Sequence, residues 1–158
     1  MKTLGLGSFR RRHRYTCYTI EHVQEFLSSV EVVHPPKKVV IHVGTNHINK
    51  DDITTRKQKY QQMVERAMEV FPKSRIYFSS TFVRKSPDGP LNKSVTQLNE
   101  YIFNTCDTTP GISYLSHENI SHKDMYDEKH IDTVGYVTFL NNIKHTVLGE
   151  VYEYYPSW

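Results

Sequence analysis

Two short stretches of this sequence carry residue types spaced for acyl-transfer chemistry. The first is Gly44-Thr45-Asn46, which closes a run of β-branched residues. Glycine permits a tight turn there. The asparagine amide then either points into a crevice as a hydrogen-bond donor, suited to holding an oxyanion, or satisfies the backbone of its own turn. The second is Asp127-Glu128-Lys129-His130, followed by Ile131 and Gly135. An aspartate and a histidine three apart at a helix entrance can converge, the carboxylate orienting the imidazole and stabilising its charged form once it has accepted a proton. That is the base half of a catalytic triad; an isolated pair of this kind is otherwise a capping aspartate beside a surface histidine.

Such residues need elements to position them, and hydrophobic periodicity supplies the elements. Ile20, Val23, Leu27 and Val30 recur at helical spacing, with Glu21 and Glu25 on the wet face. The prolines Pro35 and Pro36 end that helix. Val39 to Val43 is a nearly continuous β-branched run that suits a parallel strand buried on both faces and stops at Gly44. A long helix is predicted from an N-cap at Thr54 or Thr55, through Tyr60, Met63, Val64, Ala67, Met68 and Phe71, to Pro72. Arg75 to Ser80 reads as a strand and Ser86-Pro87-Asp88-Gly89-Pro90 as a turn. Leu91, Val95, Leu98 and Ile102 mark a third helix, Ile112 to Leu115 a third strand, and Val134, Val137, Leu140, Ile143 or Lys144, and Val147 a final helix closed by Gly149. Strands alternating with helices predict a parallel sheet covered on both faces. In such sheets chemistry sits beyond the carboxyl ends of the strands, here residues 44–51, 81–90 and 116–129.

Composition narrows the function classes. The chain has 158 residues, 37% of them hydrophobic, enough for one core and one domain. A formal charge of +3 argues for neither a nucleic-acid nor a membrane partner by itself. No apolar run approaches the roughly 18 residues that span a bilayer, and the basic residues near the N-terminus follow its apolar stretch where a signal peptide would have them first. A cytoplasmic protein is expected. Cys17 and Cys106 lack metal or disulfide spacing and are expected to be reduced; His42, His117, His122 and His145 show no paired ligand spacing, so neither a metal nor a cofactor is expected. The run Arg10-Arg11-Arg12-His13-Arg14, followed by Tyr15, is the densest charge cluster. Arg11, Arg12 and Arg14 are candidate nucleic-acid contacts, or else belong to a solvated tail. The aromatic stretch from Tyr152 to Trp158 reads as a strap or an interaction surface.

In order and context the two motifs resemble the SGNH/GDSL hydrolases, a superfamily named for Ser, Gly, Asn and His residues in successive blocks. Val39 to Asn46 stands where its third block has a buried strand ending Gly-x-Asn. Asp127, His130, Ile131 and Gly135 match its last block, Asp-x-x-His followed by an apolar residue and a glycine. The chain is more loosely similar to esterase-like domains carried by some retrotransposon proteins. The resemblance implies a three-layer α/β/α flavodoxin-like domain over residues 18–149, between a basic segment at 1–17 and an aromatic tail at 150–158. It also implies ester hydrolysis, with His130 as general base, Asp127 as its orienting acid, and Asn46, aided by the Gly44 turn, as oxyanion donor.

The first two blocks depart from that pattern. Only Gly7-Ser8 approximates the Gly-Asp-Ser of the first, and Ser8 lies 38 residues before Asn46, room for one crossover of about 30 residues where the family has two. The second block should place a glycine near Cys17, yet Thr16-Cys17-Tyr18-Thr19 stands there, and His47 replaces the usual aspartate after the asparagine. The first strand is therefore expected to be missing. Two readings follow: an esterase-like domain of weak or no activity on small esters as it stands, or an inactive pseudo-hydrolase that binds protein or nucleic acid.

Overall fold

The computed structural model describes residues 13–148, which form four α-helices and one three-stranded parallel sheet. α1 (Ile20–Ser29) starts at Thr19, whose hydroxyl accepts the backbone N–H of His22 at 3.1 Å, and it buries Ile20, Val23 and Leu27. After β1 (Lys38–Ile41) comes α2 (Ile53–Val70). Its N-cap is Asp52, not Thr54 or Thr55: the Asp52 carboxylate accepts the N–H of Thr55 at 2.7 Å, and a negative charge there also suits the positive end of the helix. β2 (Arg75–Ser79) leads to α3 (Pro90–Thr108). This helix begins one residue before Leu91, with proline in the first turn, where its missing N–H is no loss. β3 (Ile112–Leu115), a single 3-10 turn (His122–Asp124) and α4 (Thr133–Leu148) complete the described chain.

The strands lie in chain order, β1-β2-β3, with Ile41 beside Phe78 and Phe78 beside Tyr114. β1 ends two residues short of Val43 because its ladder with β2 stops at the Ile41–Phe78 pair. Alternation along β2 divides the core. Ile76 and Phe78 join the cluster built with α1, α2 and α3, whereas Tyr77 faces the other way, with Leu115 and the α4 residues Ile143 and Val147. The result is a three-layer α/β/α sandwich, three helices on one face and one on the other. Among the described residues β1 has a neighbour on one side only, and its Val39 and Val40 are half-buried. Residues 1–12, with the candidate contacts Arg11 and Arg12 and with Ser8, and residues 149–158, with the aromatic tail, lie outside the described residues. No described helix is long and apolar enough to cross a membrane.

Candidate active site

The turn after β1 is glycine-dependent. Gly44 has φ +119°, and a β-carbon there would sit 2.9 Å from Cδ2 of Leu98 and 3.1 Å from Cγ2 of Thr81. Both the dihedral and the close approach exclude a side chain. The turn then carries three consecutive anchors. The carbonyl of Thr45 accepts from Nη2 of Arg84 at 2.7 Å; Asn46 donates through Nδ2 to the carbonyl of Tyr18 at 2.8 Å; and the carbonyl of His47 accepts from Arg56. His47, at φ +59°, takes a left-handed conformation, so Arg56 fixes a residue whose backbone is not intrinsically favoured. One N–H of the Asn46 amide remains for another acceptor.

The second stretch folds as a tight loop. Tyr126 N–H donates to the His130 carbonyl at 2.7 Å, and Met125 bridges Ile131 in antiparallel fashion. Inside it, Asp127 Oδ1 accepts the N–H of Lys129 at 3.0 Å and of His130 at 2.8 Å, while the His130 Nδ1 lies 2.9 and 2.8 Å from the two carboxylate oxygens. A carboxylate only accepts, so Nδ1 carries the proton and Nε2 faces outward as the basic nitrogen. The two backbone N–H groups and the imidazole hold the Asp127 carboxyl down to about 2, keeping it ionised. Gly135 is needed just beyond, since a β-carbon would meet the Asp124 carbonyl and Cβ of Ile131, both at 3.0 Å.

The two stretches come together at one end of the sheet. Lys129 Nζ donates to Oδ1 of Asn46 at 3.3 Å. The segment after β2 braces both: Arg84 holds Thr45, while Lys85 N–H donates to the Glu128 carbonyl at 3.2 Å and the Ser86 hydroxyl to the Glu128 carboxylate at 3.0 Å. The pair itself is open to solvent, the side chains of His130 and Asp127 being 64% and 48% exposed. Nε2 of His130 has no hydrogen-bond partner among the described residues. Cys17 is half-buried against the core and its thiol is pushed up by burial, the reverse of a reactive thiolate; neither cysteine is in a disulfide. Arg14 is exposed. Among the described residues no group of three or more His, Cys, Asp or Glu side chains is placed to hold a metal.

Sequence reasoning missed a second polar cluster, behind the site. Ser79 Oγ lies 2.8 Å from Nδ1 of His42 and 2.6 Å from Nε2 of His117, and the Nδ1 of His117 lies 3.0 Å from Nδ2 of Asn142. One consistent chain runs from the Asn142 amide to His117, from His117 to the serine, and from the serine to His42, with both imidazoles neutral. Phe82 and Phe139 pack against both rings. It also missed Arg84, Tyr18 and Lys129, although Arg84 falls in a segment already marked as lying beyond a strand.

Known proteins share this fold. Solved structures of the same fold include a member of the lipolytic G-D-S-L family from Veillonella parvula, at TM-score 0.66 and 17% identity over 82% of this chain and 72% of that one. They also include a family 3 carbohydrate esterase from Talaromyces cellulolyticus, at TM-score 0.67 and 12% identity over 84% of this chain and 67% of that one. The chain has the fold of these lipolytic and carbohydrate-esterase structures. Platelet-activating factor acetylhydrolase IB subunit alpha1 of rat is 30% identical to this chain over 128 residues, 73% of the chain and 53% of the relative. The human protein is 30% identical over 128 residues as well. The chain thus spans about half the length of the curated relatives it matches. No family model matches it.

Proposed function

We propose that this domain is the base and oxyanion half of a serine ester hydrolase, without an efficient nucleophile of its own. The observation that supports this best is the Asp127–His130 pair, joined through Lys129 to the Asn46 turn. In the reaction so arranged, Nε2 of His130 takes the proton of an attacking hydroxyl as its oxygen bonds to the ester carbonyl carbon. Asp127 stabilises the resulting imidazolium, and the remaining Asn46 N–H holds the oxygen that gains the negative charge. The proton then passes to the departing alkoxide as the C–O bond breaks, and water releases the acyl group by the same steps. The name of the curated relatives makes small acetyl esters the first class to try. Two free thiols suit a cytoplasmic setting.

The second reading, a pseudo-hydrolase that binds protein or nucleic acid, draws support from the unpartnered Nε2 of His130 and from the cations Arg11, Arg12 and Arg14. The decisive assay compares p-nitrophenyl acetate hydrolysis by the purified protein with that by Ser8→Ala, Cys17→Ala and His130→Ala. We expect all four to turn over at the background of free imidazole chemistry, because losing one triad member leaves orders of magnitude less than the intact set. Robust turnover lost in His130→Ala and in either of the other two would refute the missing nucleophile and identify it.

A further inference from the structure

We propose that Arg84 anchors an anion subsite between the Asn46 turn and the His130 loop, so that the ester bound there carries a carboxylate or phosphate group; the identification of the ligand as an ester rests on the reading above. Arg84 is only 5% exposed, and a guanidinium does not shed its charge at any ordinary pH. Its Nη2 donates to the Thr45 carbonyl, but its Nε is buried with no partner, and no carboxylate lies within ion-pair distance of it among the described residues. The other buried arginine among the described residues, Arg56, 1% exposed, also has an unpartnered Nε but has Asp51 at 3.7 Å. The acidic group nearest Arg84 along the braced loop, Glu128, is engaged by the Ser86 hydroxyl at 3.0 Å. Glu128 acts on Arg84 only from beyond ion-pair distance; a buried charge so weakly compensated is costly, and an anionic ligand lowers that cost.

The location fits a substrate. Arg84 grips the residue before Asn46, while its chain neighbours Lys85 and Ser86 grip Glu128, two residues before His130. The guanidinium therefore lies between the oxyanion-donor turn and the base loop. Thr45 Oγ1, at the same place, is also buried without a partner and offers a hydroxyl donor. Lys129 is exposed beside it, bonded to Asn46, and of the acids nearby Asp127 is taken by His130. The planar fork of arginine matches the paired oxygens of carboxylate or phosphate.

The test is a nuclear magnetic resonance titration of the whole chain with inorganic phosphate, with monomethyl succinate and with neutral methyl acetate, following the Arg84 Nε–H and the Asn46 side-chain amide. Both signals should shift saturably with one or both anions and not with methyl acetate; whichever anion binds tells whether the group is a phosphate or a carboxylate. Arg84→Gln should weaken that binding by about tenfold or more, Arg84→Lys by less, and the exposed Lys129→Gln by about twofold to threefold. Should Arg84→Gln fail to fold, Thr45→Val, which removes only the orphan hydroxyl, and Lys129→Gln carry the comparison. Absence of saturable shifts with both anions, equal shifts with methyl acetate, or unchanged affinity in the folded variants would overturn the subsite. The titration reads binding alone, so its failure leaves the ester-hydrolase reading standing, and failed turnover leaves the titration standing.

Discussion

A methyl group on Gly44 would have to enter space already held by Leu98 and Thr81, on a backbone at φ +119° that side chains rarely adopt. Gly44→Ala should therefore cost about 1–3 kcal/mol, read as a lower urea midpoint with an unchanged slope, and should shift the Asn46 amide resonance as the turn moves. At this scale the sequence was readable where the chemistry is local. Asp127 meets His130 because three residues of loop bring them together, and Asn46 stands out because a glycine turn precedes it. Arg84, the Tyr18 carbonyl and the Lys129–Asn46 bond were illegible, since each meets its partner across 28 to 83 residues of chain and depends on which loops the fold stacks. Nothing in the spacing of Arg84 sets it apart from any other cation after a strand; only its burial without a carboxylate does.

The joint between α4 and the sheet is partly polar, and this gives stability a pH dependence. Burial holds the His42 imidazole down to about 4 and that of His117 to about 3, the latter also opposed by His42. Both values lie below the ordinary histidine value near 6.5, so protons bind the unfolded chain first. The contribution of the cluster is fully present above about pH 6.5 and is lost progressively as pH falls toward 4 and below, at up to about 1.4 kcal/mol per pH unit for each imidazole. The melting temperature should be flat from pH 7 to 8 and fall between pH 6.5 and 4, less steeply in His117→Gln; an unchanged slope in that variant would refute the assignment. The elements themselves were legible from periodicity, their ends less so. Helix α2 starts at Asp52 because a carboxylate caps better than the threonines behind it, and α3 takes in Pro90, which reads equally as part of the preceding turn. The cluster of His42, Ser79, His117 and Asn142 belongs to four separate segments and leaves no local pattern.

The two faces of the sheet are unequally covered. Among the described residues three helices bury one face and α4 alone covers the other, with Gly135, Ile143 and Val147 as its buried residues, while Val134 and Val137 stay exposed. Amide hydrogen exchange should therefore show α2 and α3 protected to the level of global unfolding and α4 opening at lower free energy; equal protection throughout would contradict this. Strand order also repeats chain order. Each parallel pairing closes a loop containing a single helix, and closure entropy grows only slowly with loop length. Contacts are thus mostly of modest sequence separation, the regime of quicker folding for a parallel sheet, and a chain made from its N-terminus can assemble β1, α2 and β2 before β3 exists. The links that close last are those from Lys129 to Asn46 and from Lys38 to the Val147 carbonyl, which span 83 and 109 residues. The base loop and the oxyanion turn can meet only once nearly the whole domain has been synthesised.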